Sequence, residues 1–334
     1  MTQPRLLHIA ATNPDPRVWH AAFIDALQRL GSLTVIRNGQ ALGSGEIADR
    51  VRECTIYLSS WGSVALPDSL AVDRGSLEYV CHVNGTIRKF IPESLIEAGL
   101  PVTNWGDALA RDVAEGAVTL LLSCSKDLPR RIDHIRAGGW REDGRYRGWQ
   151  LEGLRLGLYG CGRIGRAFVE LISPFRPCML AYDPYCDALP EGVRRVDSLE
   201  ELFGNADAIA IHAGLSEETR NTVTAALLAM LPDHGVIVNT SRGAIVDQQA
   251  LFAELASGRL RAGLDVLEPD YLAPDHPARQ WPNVIFGAHD IGNPRPWPAT
   301  LMRMHRHCLD NIRRHLDGRP KRFVMDARRL ARST

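Results

Sequence analysis

The chain has no apolar run approaching the ~18 residues a membrane span requires, no C-x-x-C pair and no excess of charge of either sign. Lysine plus arginine number 39, as do aspartate plus glutamate. The overall balance therefore draws the chain neither to nucleic acid nor to an anionic membrane surface. Seven cysteines are dispersed without paired spacing. An odd, scattered set excludes a simple disulfide frame or zinc site and reads as reduced thiols, so no metal is expected. Met1-Thr2-Gln3-Pro4-Arg5 lacks the basic and apolar regions of a secretory signal, and a cytoplasmic location is the expectation. Internal repeats and low-complexity segments are absent as well. What is present is 334 residues of ordinary composition, 45% hydrophobic, enough for about two domains with buried cores.

The first hundred residues alternate strand and helix patterns. Leu6–Ala10, Leu33–Ile36, Thr55–Leu58 and Leu77–Val80 have the apolar, β-branched character of strands, with a helix over Val18–Leu30. Pro101–Asn104 is a short strand that ends at a candidate hinge. A long apolar helix follows over about 108–125. Residues 126–148 are polar and glycine-rich, carry Trp140, and show no element that packs a core; they read as an exposed arm. Farther on, the strand patterns Ala208–Ile211, Gly235–Val238, Arg261–Leu264 and Val284–Phe286 end at His212, Asn239, Asp265 and the segment leading to His289. A helix from Asp247, a suitable N-cap, stops at Gly258. The last helix, Met302–Leu316, places His305, His307 and His315 on a face read as solvated. Alternating strands and helices argue an α/β fold with doubly wound parallel sheets.

Within this rhythm the densest signal is Gly160-Cys161-Gly162-Arg163-Ile164-Gly165. It lies between an apolar run, Leu156–Tyr159, and a helix-compatible run, Ala167–Ile172. A second apolar run, Met179–Tyr182, is closed by Asp183. Strand, glycine turn, helix, strand and acid are the parts of a dinucleotide-binding unit. The first glycine permits the turn, the second admits the pyrophosphate, and the third lets helix and strand pack. The helix N-terminus offers N–H groups and partial positive charge to the phosphates, with Arg163 and Ile164 in its first turn. Asp183, about 20 residues on, suits the ribose hydroxyls and repels a 2′-phosphate, which favours NAD over NADP.

Polar residues then fall at successive strand ends, where open α/β sheets bind ligands. Arg242, in Asn239-Thr240-Ser241-Arg242-Gly243, suits a carboxylate through a two-pronged hydrogen bond; an arginine facing the pyrophosphate or a neighbouring acid is the alternative. His289 has the chemistry of a proton donor and acceptor near neutrality, though it is one of eleven histidines and a structural role is the alternative. A carboxylate beside it favours the charged ring and fixes its orientation. Asp265, Glu268 and Asp270 are all near enough in sequence, and spacing alone does not choose among them.

These blocks resemble the D-isomer-specific 2-hydroxyacid dehydrogenase family from about Gly85 to Pro320. They are most specific at the glycine turn with Asp183, at Ile211–Thr219, at Val238–Gly243 and from Asp265 to His289. The resemblance implies two Rossmann-like domains with the active site in the interdomain cleft. Residues 1–104 plus 299–334 would form the substrate domain, and residues 105–298 the NAD-binding domain. It implies hydride transfer between NAD and a small 2-keto or 2-hydroxy acid, with Arg242 as the catalytic arginine and His289 as the acid and base. The family's usual glutamate is replaced by Asp270, shorter by on the order of 1.5 Å, and Glu268 competes with it. Asp265 resembles the acid that fixes the nicotinamide carboxamide. His212, Thr219, Thr240 and Gly292 match residues near the cofactor. Asn84 and Gly85 match the loop that receives the substrate carboxylate, although the family's glycine pair is only partly present.

Further departures are Gly214, where proline is common, and Asn293-Pro294-Arg295-Pro296-Trp297-Pro298 after the histidine, which would reshape the substrate mouth. Trp61 and Trp297 are candidates for the pocket wall. The 126–148 arm resembles the segment through which family members form homodimers. A different class of function on the same scaffold is an NAD(H)-responsive binding protein of the co-repressor kind.

Overall fold

The computed structural model describes residues 3–141, 148–293, 298–326 and 329–330. Most of the proline-rich turn after Asn293, including Trp297, lies outside the described residues, as do residues 142–147 of the arm. The chain divides into two compact units, Met1–Ala108 with Pro296–Thr334, and Leu109–Arg295.

The first unit holds a five-stranded sheet of β1 (Arg5–Ile9), β2 (Ser32–Ile36), β3 (Ile56–Ser59), β4 (Tyr79–His82) and β5 (Val102–Thr103). Every pairing is parallel, in the order β2-β1-β3-β4-β5. That is the flavodoxin-like winding. The helix expected over Val18–Leu30 is shorter, Ala21–Gln28, because His20 caps it by accepting from the Phe23 N–H. The terminal helix, Pro298–Leu316, corrects the reading of its histidines. His305 is 6% exposed and stacks on Phe23 at 3.9 Å. His307 pairs with Asp107 at 2.9 Å and His315 with Glu78 at 3.1 Å. The face read as solvated is the one that packs on this unit, with His307 and His315 meeting acids remote in sequence and His305 stacked among aromatic rings.

The second unit is a seven-stranded parallel sheet of β6 (Arg155–Tyr159), β7 (Cys178–Tyr182), β8 (Val193–Arg195), β9 (Ala208–Ile211), β10 (Val236–Asn239), β11 (Arg261–Leu264) and β12 (Val284–Phe286). Its order is β12-β11-β10-β9-β6-β7-β8. Successive side chains of a strand face opposite ways, and this unit uses both faces. Ala208, Ala210, Val236 and Val238 enter one core with Phe168 and Leu121, whereas Ile209, Ile211 and Ile237 enter the other with Leu227 and Leu255. Burial on both sides explains why these strands read as unbroken apolar runs rather than alternating ones. Each fully buried leucine or isoleucine contributes roughly 1.5–3 kcal/mol of transfer free energy.

The helix expected over about 108–125 is Ala110–Ser125. The arm after it contains an element that composition concealed, the helix Leu128–Arg136 with Pro129 in its first turn. Leu128, Ile132 and Ile135 recur at helical spacing, but they are 42, 39 and 48% exposed, and Trp140 is 78% exposed. No helix among the described residues is long and apolar enough to cross a membrane.

Candidate functional site

Parallel register brings the strand ends of the second unit into line. Tyr159 pairs with Tyr182 and Ile211, Ile211 with Asn239, Asn239 with Leu264, and Leu264 with Phe286. One residue beyond that row stand Gly160, Asp183, His212, Thr240, Asp265 and Gly287. The winding reverses between β6 and β9, so the crevice where such sheets take ligands opens beside Gly160 and His212.

The glycine turn has the shape a dinucleotide needs. Gly160 has φ +92°, and a Cβ there would lie 2.5 Å from the Ala213 nitrogen. A Cβ on Gly165 would lie 2.6 Å from the Gly160 carbonyl oxygen, so its absence lets helix and strand pack. Gly162 faces open space, with no heavy atom within 4 Å of its virtual Cβ. It also precedes the helix Arg163–Ile172, whose N-terminus has no side-chain cap. First-turn N–H groups without intrahelical partners bordering an open glycine suit a pyrophosphate. Ile164 packs inward against the core. Asp183 is held in place, one carboxylate oxygen accepting from the Cys161 N–H at 2.7 Å and the other from the Tyr185 N–H at 2.9 Å.

Around this turn the other cofactor candidates divide. Both ring nitrogens of His212 are buried without a partner among the described residues, and burial lowers its pKa to about 4. The ring is therefore neutral at pH 7, 4.8 Å from Phe168. The Thr240 hydroxyl is likewise buried and unpartnered. Thr219 instead ties its own loop, accepting from the Ser216 N–H and donating to the Gly214 carbonyl. Gly292 packs against Val113, 2.7 Å from its virtual Cβ to Val113 Cγ2. In the first unit, Asn84 accepts from the Trp61 N–H at 3.0 Å and the Gly85 carbonyl accepts from the Asn104 amide at 2.9 Å. Trp61 is 52% exposed and meets Trp105 edge-on.

Arg242 follows β10 in a turn shaped by Asn239, which donates to the Arg242 carbonyl and accepts from the Ser241 N–H. Its guanidinium donates to the Ser241 carbonyl at 2.7 Å. Burial lowers its pKa, opposed by the charge of Asp270, and an arginine stays charged regardless. Asp265, 6% exposed, accepts from the Asp290 and Ile291 N–H groups, both at 3.1 Å. Burial raises its pKa and those two bonds oppose the rise.

These bonds hold the turn after β12, where Ala288 and His289 both have φ +56°. Left-handed backbone costs a side-chain-bearing residue on the order of 1–3 kcal/mol. Here it is held by the His289 N–H donating to the Asp265 carbonyl at 2.5 Å, and it aims the imidazole at the neighbouring loop. His289 Nδ1 meets Asp270 Oδ2 in a short hydrogen bond, both side chains about half exposed. Asp270 Oδ1 accepts from the Leu267 N–H at 3.2 Å. Glu268 is exposed, and its backbone groups bond to Gln248 instead. With Nδ1 committed to a carboxylate, the tautomer is set and Nε2 is the nitrogen available for proton exchange. Arg242, Asp270 and His289 thus come together. Gln248 is the member that sequence reasoning missed, since nothing local in the sequence links it to Glu268.

Residues 118–290 match the family described as D-isomer specific 2-hydroxyacid dehydrogenase, NAD binding domain. The D-3-phosphoglycerate dehydrogenase of Methanocaldococcus jannaschii is 28% identical over 288 residues, 85% of this chain and 53% of that protein. The hydroxypyruvate reductase of Thermotoga maritima is 38% identical over 173 residues, 52% of this chain and 56% of its own length. The chain thus matches about half the length of each of these curated relatives. Among solved structures, the holo form of Rhodotorula graminis D-mandelate dehydrogenase superposes with a TM-score of 0.77 at 22% identity, over 97% of this chain and 98% of the other. At that identity the likeness speaks for the fold. With the family match extending over more than half of its residues, this chain belongs to the D-isomer-specific 2-hydroxyacid dehydrogenase family.

Proposed function

We propose that the protein interconverts a 2-keto acid and a D-2-hydroxy acid with NAD as cofactor. The observation that carries this reading is the His289–Asp270 pair beside the Arg242 guanidinium, at the strand edge that also bears the glycine turn. The turn from Gly160 to Gly165 would hold the pyrophosphate, Asp183 the ribose and Asp265 the carboxamide. NADH supplies the hydride when bound. Arg242 binds the substrate carboxylate through two parallel N–H donors. His289 holds a proton on Nε2 and gives it to the oxygen that gains negative charge during reduction. Asp270 keeps the ring oriented through Nδ1 and compensates its positive charge. In the oxidative direction the same Nε2 takes the hydroxyl proton.

A screen of 2-keto acids with NADH and NADPH in parallel tests the reading. Turnover that depends on His289 and prefers NADH is expected. Tight NADH binding without turnover of any 2-keto acid would refute it.

We also infer a homodimer and a cytoplasmic location. The exposed stripe Leu128, Ile132 and Ile135, with Trp140 beyond it, supports the first, since such stripes mark protein contacts. All seven cysteines are free thiols, which supports the second.

A further inference from the structure

The carboxylate that meets His289 is an aspartate, and its short reach places the burden on the loop that carries it. That loop is gripped from two sides. The Gln248 carboxamide donates through Nε2 to the Glu268 carbonyl at 2.8 Å and accepts through Oε1 from the Glu268 N–H at 2.8 Å. One side chain thus pairs with both backbone groups of a single residue, as a neighbouring β-strand would. From the other side Gly243 presses on the same peptide, its virtual Cβ 2.1 Å from the Leu267 carbonyl carbon and 2.6 Å from the Glu268 nitrogen. No side chain fits between them. Asp270 lies two residues past the gripped backbone and hooks back to the Leu267 N–H before reaching His289. Gln248 itself opens the helix Gln248–Ala256, whose N-terminus Asp247 caps by accepting from the Ala250 N–H. The amide is therefore anchored to a rigid element.

We propose that Gln248 is a positioning residue for the reaction. Its carboxamide holds the 267–270 loop at the distance from which an aspartate, rather than a longer acid, meets His289. The inference rests on the hydride-transfer reading above. It adds to that reading a residue that touches neither substrate nor cofactor. Loss of the clamp lets Asp270 withdraw, and the imidazole loses the partner that orients it.

The test compares the parent, Gln248→Met, Gln248→Met/Asp270→Glu and His289→Ala, each with the best keto acid from the screen. Methionine keeps the length of glutamine and removes both hydrogen bonds. Gln248→Met should lower kcat about tenfold, within the 10–100-fold range for partners that orient a reacting histidine. KM and the NADH dissociation constant should stay within twofold, and the alkaline limb of the kcat profile should move to lower pH. Adding Asp270→Glu, longer by about 1.5 Å, should recover most of the kcat and return the pH profile. A Gln248→Met enzyme with parental kcat and pH profile overturns the proposal, as does a loss that Asp270→Glu does not restore. Where Gln248→Met does not fold, Gln248→Glu takes its place; it keeps the acceptor and loses the donor, and the same readouts decide. His289→Ala separates the two levels. If that variant retains full turnover, the functional reading has failed; if it is inactive while Gln248→Met is unaffected, only the role of Gln248 has failed.

Discussion

Acid should loosen the first unit well before its carboxylates protonate, because two histidines are sealed in its sheet. His8 is 0% and His82 1% exposed, and burial lowers their pKa values to about 4 and about 3. His8 Nδ1 donates to the Leu58 carbonyl at 2.9 Å and His82 Nδ1 pairs with the Ser59 hydroxyl at 3.0 Å, while Nε2 of each is buried without a partner among the described residues. The neutral ring fits each place and the charged ring does not. In the unfolded chain both titrate near 6.5. Between that value and 4 the unfolded state therefore binds the extra proton, and stability falls as pH falls. At about 1.4 kcal/mol per pH unit below 6.5, each ring removes about 2 kcal/mol on going from pH 7 to pH 5, and the pair about 4 kcal/mol. That is a large part of a typical folding free energy of about 5–15 kcal/mol.

Hydrogen exchange in β1 and β4, corrected for intrinsic rates, reads the effect directly. Protection should fall about a thousandfold between pH 7 and pH 5. His8→Asn keeps a donor for Leu58 and abolishes titration, so its loss over the same interval should be about 2 kcal/mol smaller, although it starts from lower stability without the Trp19 stack at 3.8 Å. Protection that stays flat with pH, or a variant that loses as much as its parent, would refute the reasoning.

Four further outcomes are expected. His289→Ala should lower turnover by about 10²–10⁴ while NADH still binds, measured by steady-state kinetics and fluorescence titration. Gly162→Ala should leave the melting temperature unchanged, since its Cβ meets nothing within 4 Å, yet weaken NADH at least tenfold; Gly160→Ala, 2.5 Å from the Ala213 nitrogen at φ +92°, should lose stability as well. Asp183→Ala should raise the NADPH-to-NADH ratio of kcat/KM by about tenfold or more, because a 2′-phosphate no longer faces a carboxylate. Ile132→Arg should yield a monomer by light scattering, and an unchanged oligomer would remove that helix from the interface.

The second unit was far more legible in the sequence than the details around it. Apart from β8, its strands are largely buried on both faces, so they appear as short apolar runs, and β7, β9, β10 and β11 end against the polar residues Asp183, His212, Asn239 and Asp265. The glycine turn was readable because its backbone demands glycine whatever surrounds it. Contacts between distant positions were not readable. His307 and His315 looked solvated because their acids, Asp107 and Glu78, lie 200 and 237 residues earlier. The helix Leu128–Arg136 was hidden by its arginines and by Pro129, which breaks a helix interior but is tolerated in a first turn. The choice of Asp270 over Glu268 depended on a loop whose course follows from Gln248 and Gly243, neither of which resembles a proton-handling residue.

The aligned strand register has a consequence for how this site tolerates length changes. Each terminal residue owes its place to counting along a strand that advances about 3.3 Å per residue and alternates faces. A single deletion within β9, β10 or β11 would draw His212, Thr240 or Asp265 back by that distance and turn its side chain to the opposite layer. The same deletion in the loop before the strand leaves the count intact. Insertions and deletions should therefore collect in the loops at the amino edge of this sheet rather than within its strands.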